Sequence, residues 1–327
     1  MNNNMLKIDL KDRRILYQLD IDSRQSYSQI AKKVGLSKTV LVYRINRLKE
    51  KGVIKKFYTV IDAYRLGYLA TRFHYLYQYV KPEIKKEIID YFTKYKYSML
   101  VASVQGFFDL SVILWVRDIS DFYRFWEETQ NKYGYYLQDQ VFTFYLNEVH
   151  YRPSYLLLDY YKKSERTKLE FYGGGKKVKI DTSDIQILNE IAQNARLPLT
   201  DIASKLHSSA TMIKYRIKKL IKLGVIQGFR TEIDISKLGY HTFKVYIFLK
   251  EFKHRSEIIN YVKFNPYLIC IDTTTGETHL ELEFHLEDIG QLYQIMQDLI
   301  NKFPNVIRNY KSVILIKRHK YRYMPTL

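Results

Sequence analysis

The chain has 327 residues, 46% of them hydrophobic, and a formal net charge of +19 at pH 7. This length predicts about two to four domains, and the charge favours a polyanionic partner, either nucleic acid or an anionic membrane surface. No stretch approaches the ~18 uncharged apolar residues of a membrane-spanning helix, and the first residues lack the apolar core of a secretion signal. We therefore expect a soluble cytoplasmic protein with no membrane partner.

The N-terminal part of the chain has the pattern helix, short helix, glycine turn, helix. Asp9 and Asp12 form a capping pair for the first helix, and Ser26 with Gln29 forms a capping box for the second. Gly35 supplies the tight turn into the third helix. This order is the helix-turn-helix pattern, whose last helix enters the major groove of DNA.

The third helix is predicted from Lys38 to Lys51, between the N-cap Ser37 and the stop residue Gly52. Three apolar residues at i, i+4 and i+7 form one stripe that must be buried, namely Leu41, Ile45 and Leu48. The opposite face is polar and free to meet DNA. The alternating residues from Ile54 to Ile61 predict a strand or small wing beside this helix.

A different pattern follows from Thr71 to Val149. Strands and helices occur in the order βαββαβ, which is the ferredoxin-like arrangement. The predicted elements are strand 72–79, helix 82–95, strands 100–105 and 110–116, helix 119–133 and strand 140–149.

Both patterns occur a second time. The sequence from Asp9 to Tyr68 aligns without a gap with Asp181 to Tyr240, and residues 243–316 repeat the βαββαβ order. The joining segment holds Pro153, a charged run from Lys162 to Lys168 and Gly173-Gly174-Gly175, and its end is predicted to be a flexible hinge.

The predicted fold class is therefore α+β with a tandem duplication. Two winged helix-turn-helix domains are each followed by a ferredoxin-like βαββαβ domain of the RAM type. The helix-turn-helix domains are predicted at 1–68 and 178–240, the ferredoxin-like sensing and dimerisation domains at 69–151 and 241–327, and the linker at 152–177.

On these residues the chain resembles the Lrp/AsnC, or feast/famine, family of prokaryotic regulators. The resemblance rests on Asp9, Asp12, Ile15, Leu16, Ala31, Ser37, Arg44, Gly52, Ile54, Leu66, Gly67 and Tyr68. It implies a nucleoid-associated, sequence-specific transcriptional regulator that binds double-stranded DNA. It also implies self-association through the ferredoxin-like domains and a small-molecule effector such as an amino acid. Most family members carry one copy per chain, so two copies suggest a covalent pseudo-dimer.

The outward residues of the two third helices are the predicted DNA contacts. They are Ser37, Lys38, Thr39, Val42, Tyr43 and Arg47 in the first copy, and Ser209, Thr211, Lys214, Tyr215 and Lys218 in the second. Arg44 lies beside the buried stripe, so it either contacts phosphate or ties the helix to a carboxylate such as Asp12. The alternative for the whole set is a solvated basic helix face.

The second copy departs from the first in its turn, where His207-Ser208 replaces Gly35-Leu36. Histidine adopts a left-handed conformation only at a cost, and the loss of Leu36 removes an apolar contact. This predicts a second helix-turn-helix that is weaker than the first or purely architectural. If both copies bind, their unlike outward residues predict two unlike half-sites near one DNA turn apart.

The resemblance also implies an effector site at the turn between the second and third strands of each ferredoxin-like domain. The family pattern Gly-x-x-Asp stands here as Gly106 and Asp109, and in the second half as Gly276 and His279. The alternative is ordinary hairpin turn chemistry, which also uses glycine and aspartate.

Two other functions compete with a site-specific regulator. An architectural chromatin protein would use the same basic charge without reading sequence. An enzyme resembling siroheme decarboxylases would share the two-module fold, but no His-Asn-Tyr sequence occurs in either turn region, and no Gly-rich phosphate loop or His-Glu-x-x-His is present. Cys270 is the single cysteine and stands in an apolar run typical of a core. We therefore expect no enzymatic activity, no cofactor and no metal.

Overall fold

The structure, a computed structural model, describes residues 7–160, 170–276 and 278–326. The charged run 162–168 and Glu277 of the second turn lie outside these ranges. Within them, no helix is both long enough and apolar enough to cross a bilayer.

Ten α-helices and eleven strands are described, numbered here in chain order. The helices are α1 Leu10–Ile21, α2 Tyr27–Val34, α3 Lys38–Glu50, α4 Pro82–Lys94, α5 Ile119–Tyr133, α6 Thr182–Ala192, α7 Leu199–Lys205, α8 Ala210–Lys222, α9 Arg255–Val262 and α10 Ile289–Lys302. The strands are β1 Ile54–Ile61, β2 Leu69–Tyr77, β3 Ser98–Gly106, β4 Leu110–Val116, β5 Leu137–His150, β6 Glu170–Gly173, β7 Ile226–Ile233, β8 His241–Leu249, β9 Leu268–Thr274, β10 Leu280–Leu286 and β11 Ile307–Tyr321. Two helix-turn-helix units, each followed by βαββαβ, confirm the predicted fold class.

Local capping starts the helices as the sequence predicts. The Asp9 side chain accepts the Asp12 amide at the start of α1, and the Asp12 carboxylate accepts the Asp9 amide in return. Ser26 and Gln29 make the same reciprocal pair at α2. Gly35 then turns the chain into α3 with φ 69°, a left-handed conformation that glycine adopts without steric cost.

The predicted wing has a different role from the one expected. Strand β1 pairs antiparallel with β7, its counterpart in the second copy, and forms a two-stranded ribbon. Buried hydroxyls tie the ribbon to both first helices in a reciprocal way. Thr59 Oγ1 donates to the Ile191 carbonyl at 2.7 Å, and Thr231 Oγ1 donates to the Leu19 carbonyl at 2.9 Å. The apolar residues of both helix-turn-helix units form one continuous core.

The two ferredoxin-like sheets close into a ring of eight strands. The strand order is β2-β4-β3-β11-β8-β10-β9-β5, and β5 pairs back with β2. Four of these strands come from each half, so the seams between halves are the β3–β11 and β5–β9 pairs. Closure leaves no free edge within the ring, and β6 pairs with the end of β5.

The two faces of this barrel differ in chemistry. On β2, Phe73 and Tyr75 point outward and pack with α4 and α5 in an apolar core. The alternate residues Arg72 and His74 point inward, because successive side chains of a strand lie on opposite faces. A corresponding apolar core lies between the sheet and the helices of the second half. The helices therefore cover the outside, and the inside holds charged side chains together with apolar ones.

Ordered structure extends into both described ends of the predicted linker. Arg152 donates to the Asp20 carbonyl at 2.6 Å, and Tyr155 is buried in the core of the helix-turn-helix units. Gly173, in the predicted hinge, ends β6, and its amide donates to the Asp62 carboxylate at 3.3 Å. The hinge prediction missed this packing because β5 runs past the end of its domain and offers a strand to pair with. The domain boundaries stay predictions.

Candidate DNA interface and sensing modules

The outward face of α3 carries the first set of predicted DNA contacts. Ser37 caps the helix, and its hydroxyl accepts the Val40 amide at 3.3 Å. Lys38 and Thr39 are exposed in the first turn, and Tyr43 is 66% exposed one turn further on. Val42 is half-buried. The Tyr43 ring is therefore accessible to a partner on the outward face.

Arg44 and Arg47 tie α3 to α1. Arg44 Nη1 lies 2.7 Å from Asp9 Oδ2 and 2.9 Å from Asp12 Oδ1. Arg47 Nη2 lies 2.5 Å from Asp12 Oδ2, and the Asp12 side chain is fully buried. Of the two alternatives predicted for Arg44, the structure therefore shows the tie to carboxylates. The Arg47 side chain is 38% exposed. Its predicted contact with DNA therefore has to use guanidinium nitrogens that do not bond to Asp12.

The same carboxylate clamp occurs in the second copy. Arg216 Nη1 lies 2.7 Å from Asp181 Oδ2 and 2.8 Å from Asp184 Oδ1, and Lys219 takes the place of Arg47 against Asp184. The hydrogen bond from Arg216 lowers the pKa of Asp181, and the same bond raises the pKa of Arg216. The lowered pKa keeps Asp181 charged, and its ion pair with Arg216 holds α8 against α6.

The outward face of α8 is basic and exposed like that of α3. Ser209 caps the helix by accepting the Met212 amide at 3.1 Å. The other predicted contacts are all exposed: Thr211, Lys214, Tyr215 and Lys218. Tyr215 is 65% exposed, almost the value of Tyr43 at the matched position. His207 makes the turn with φ 48°, so the second turn forms despite its departure from glycine.

The predicted effector residues lie in tight turns, and each turn contacts a strand of the other half across a seam. A Cβ atom on Gly106 would collide with the Ser312 carbonyl on β11, so only glycine fits. The Asp109 carboxylate accepts the Tyr77 amide at 2.9 Å. In the second half His279 Nδ1 accepts the Leu249 amide at 2.8 Å, which is the equivalent bond. Gly276 lies beside Thr143 of β5. These residues support the hairpins, and their contact with an effector stays a prediction.

A cavity of about 240 Å³, lined by both charged and apolar side chains, lies inside the barrel and extends to the β1–β7 ribbon, and sequence reasoning missed it. Arg72 Nη2 donates to Glu281 Oε1 at 2.6 Å, and Lys244 pairs with Asp272. His74 Nε2 lies 2.8 Å from the Tyr246 hydroxyl. Burial, followed by the charges of Arg72 and Lys244, holds the pKa of His74 well below its ordinary value, so this ring is neutral.

The acidic side of the cavity lies on the second half. Burial raises the pKa of the Cys270 thiol well above its usual range, and the nearby Asp272 adds to the effect. The sequence signal for this wall was the alternation in Leu280-Glu281-Leu282-Glu283-Phe284, with a carboxylate at every second position. In a lone sheet such residues face solvent, whereas here the sheet of the first half covers them.

Two winged helix-turn-helix units with exposed, basic recognition helices define a DNA-binding protein. A family described as winged helix-turn-helix DNA-binding matches residues 8–55 and 180–227. An HTH-type transcriptional regulator of Pyrococcus abyssi is 30% identical over 139 residues, which is 42% of this chain and 91% of that protein. The HTH-type transcriptional regulator LrpA of Bacillus subtilis is also 30% identical over 139 residues, 42% of this chain and 98% of LrpA. The chain belongs to the Lrp/AsnC family of transcriptional regulators, in a tandemly duplicated form.

Two solved structures of one protein are similar over nearly all of the duplicated chain. The siroheme decarboxylase NirDL covers 97% of this chain and 94% of its own length, with a TM-score of 0.65. Its sequence identity is 14%, so the likeness concerns the fold.

Proposed function

We propose that this regulator acts as a covalent pseudo-dimer in which α3 and α8 read two unlike half-sites on double-stranded DNA in the cytoplasm, at the nucleoid. The observation that supports this most directly is the reciprocal packing of the two helix-turn-helix units around the β1–β7 ribbon. In a single-copy family member such contacts would have to come from a second chain. Covalent linkage makes them independent of protein concentration.

The outward positions of the two recognition helices support unlike half-sites. Lys38 is replaced by Ala210 at the matched position, and Val42 is replaced by Lys214. Lysine fixes phosphate and can donate to guanine, whereas valine and alanine can contact only a thymine methyl group. A perfect palindrome would present the same base edges to both helices, so one half-site would be read poorly.

The experiment is a selection from random DNA duplexes with the full-length chain at near-physiological salt. The expected outcome is an enriched motif with two different half-sites about one turn apart. The double variant Lys214→Ala/Tyr215→Ala should lose the second half-site and keep the first. A motif with one half-site in the unaltered chain would overturn reading by α8.

We further propose a small-molecule effector, such as an amino acid, at the turns that carry Gly106, Asp109, Gly276 and His279. These turns lie where the two halves meet, so a ligand bound there would change how the halves fit together. Titration with single amino acids, followed by DNA affinity, tests the idea. An Asp109→Asn variant should respond less, with DNA affinity in the absence of ligand unchanged. A full response in this variant would reject a role for Asp109.

An architectural chromatin protein is the main alternative. It would retain random duplexes without enrichment and show a steep salt dependence with a specificity ratio near one. A regulator is expected to prefer its site by ~10³ or more. The same selection therefore separates the two functions.

We propose that the chain is not an enzyme. The rival is an activity like that of siroheme decarboxylase, favoured by the shared fold and by the barrel cavity. Against it stand the acidic residues of that cavity, among them Asp272 and Glu283, because they repel a polycarboxylated tetrapyrrole. Tetrapyrrole absorbance in the purified protein, together with loss of carboxylate groups from added siroheme, would support a decarboxylase activity and contradict the proposal.

A further inference from the structure

A cluster of metal-binding side chains lies on the β5–β9 seam. His150 and Cys270 are direct partners across the seam, and Glu148 lies two residues before His150 on the same face of β5. One donor atom from each of the three residues lies within 4.8 Å of the others. Histidine nitrogen, cysteine sulfur and carboxylate oxygen are the protein donors that Zn²⁺ uses.

The cluster has nearly the dimensions of a three-ligand zinc site. Bond lengths of about 2.0–2.3 Å in a tetrahedral site place the donor atoms roughly 3.3–3.8 Å apart. His150 Nε2 already lies 3.4 Å from Glu148 Oε2. The Cys270 sulfur lies within 4.8 Å of a donor atom on each of the other two residues. All three residues line the barrel cavity, so a fourth coordination position faces the open space.

A further carboxylate lies beside this cluster. Asp272 is opposite Glu148 across the seam and pairs with Lys244. Cys270 Sγ donates to Asp272 Oδ1 at 3.0 Å. A cation bound by Glu148, His150 and Cys270 would therefore have a second carboxylate close to its sulfur ligand.

The equivalent seam of the barrel serves as an internal comparison. On the β3–β11 seam Leu100 faces Tyr321 and Ala102 faces Arg318, so its described residues include no such cluster. Both seams close the same barrel with the same antiparallel pairing. Closure alone therefore does not require histidine opposite cysteine, and the donors on β5–β9 call for another explanation.

We propose that Glu148, His150 and Cys270 bind one divalent transition-metal ion of the zinc type, with a fourth position open to the cavity. On binding, the sulfur–hydrogen bond breaks, the proton passes to solvent and a metal–sulfur bond forms, without any change of oxidation state. The ion would join the two halves at one seam, because Glu148 and His150 belong to the first half and Cys270 to the second. The ligands are far apart in the sequence, and only the strand register brings them together.

The test is titration of the tag-free full-length chain with Co²⁺, followed by displacement with Zn²⁺. The expected result is one ion per chain and a near-ultraviolet sulfur-to-cobalt charge-transfer band that Zn²⁺ removes. With free Zn²⁺ at 100 times its Kd, the ratio of folded to unfolded chain should rise about 100-fold. Cys270→Ser should lose the band, and His150→Asn should weaken Co²⁺ binding at least tenfold.

Two further variants keep the test decisive. Tyr321→Phe, on the equivalent seam, should bind Co²⁺ like the unaltered chain. Glu148→Gln preserves side-chain shape, so it reports on ligation if Cys270→Ser fails to fold, and it should weaken Co²⁺ binding at least tenfold. Absence of the charge-transfer band, or equal affinity in the unaltered chain and Glu148→Gln, would overturn the proposal.

Discussion

Arg24 and Arg196 occupy the same position in the two copies, and each donates hydrogen bonds to backbone carbonyls of the other copy. Arg24 Nη1 lies 2.6 Å from the Ala195 carbonyl oxygen, and Arg196 Nη1 lies 2.9 Å from that of Gln25. Each guanidinium also lies over a ring of the opposite ribbon strand, at 5.4 Å from Phe229 and 5.6 Å from Phe57. The matched arginines thus fasten the two helix-turn-helix units to one another.

The first prediction follows from these arginines. Arg24→Ala and Arg196→Ala should each lower the free energy of unfolding by ~1–3 kcal/mol, since each leaves carbonyls without their charged donor. The measurement is urea unfolding of the full-length chain. Lys214→Ala, on an exposed face, is the matched control and should change stability by less than ~0.5 kcal/mol. The midpoint should be the same at two protein concentrations, and a rise with concentration would mean that the contacts form between chains.

The second prediction concerns the unequal charge of the two recognition helices. Lys38→Ala should weaken DNA binding for all sequences and reduce the slope of log affinity against log salt by about 0.9, because one phosphate contact is lost. Ala210→Lys, the reverse change at the matched position of the second copy, should steepen that slope by about 0.9. Affinities measured at several salt concentrations give both slopes. An unchanged slope in Ala210→Lys would mean that the start of α8 does not approach phosphate.

Much of the fold was predictable because it follows from local periodicity. The sequence predicts α3 to end at Lys51, and the observed helix ends at Glu50. The bounds of β1, β4 and α5 agree with those predicted. Such elements depend on caps and on spacings within the element itself, which a single sequence displays.

The relations between elements could not be predicted in the same way. The β1 residues alternate as a wing would, and nothing local indicates that β7 is their partner. The carboxylate clamp was predictable as one of two alternatives for Arg44, because Asp12 belongs to the same motif. The cavity lining was missed because Arg72 and His74 stand at positions that face solvent in a single ferredoxin-like sheet. Only pairing of the two sheets at their edges turns that face into an interior.

The third prediction uses the two different turns. His207 has φ 48°, which costs a residue with a Cβ atom roughly 1–2 kcal/mol relative to glycine. His207→Gly should therefore stabilise the chain by ~0.5–1 kcal/mol, part of the gain being offset by the greater freedom of glycine in the unfolded state. In the reverse test, Gly35→Ala should destabilise by ~1–2 kcal/mol. Its new Cβ atom would also lie 3.2 Å from Lys11 Nζ, which donates to the Val34 carbonyl. Thermal unfolding compares both variants with the unaltered chain, and equal stability of His207→Gly would contradict the strain.

The last prediction concerns pH. His285 is a hydrogen-bond partner of Tyr155, with 2.9 Å between its Nδ1 and the hydroxyl, and burial together with Arg318 and Arg230 lowers its pKa to about 3. Below the ordinary histidine pKa of about 6.5 the unfolded chain takes up a proton at this position, whereas the folded chain does so only near pH 3. Stability is therefore complete above about pH 6.5 and falls as pH decreases, by at most ~1.4 kcal/mol per pH unit.

His285→Gln should remove this contribution, so the difference in unfolding free energy between variant and unaltered chain should shrink from pH 7 to pH 4.5. Carboxylates that titrate in the same range cancel in the difference. Above pH 7 the difference should stay constant, because the imidazole is neutral in both states. Urea unfolding at half-unit pH steps measures it. A difference that stays constant down to pH 4.5 would mean that His285 takes up a proton without unfolding, which would require the cavity to admit water around the ring.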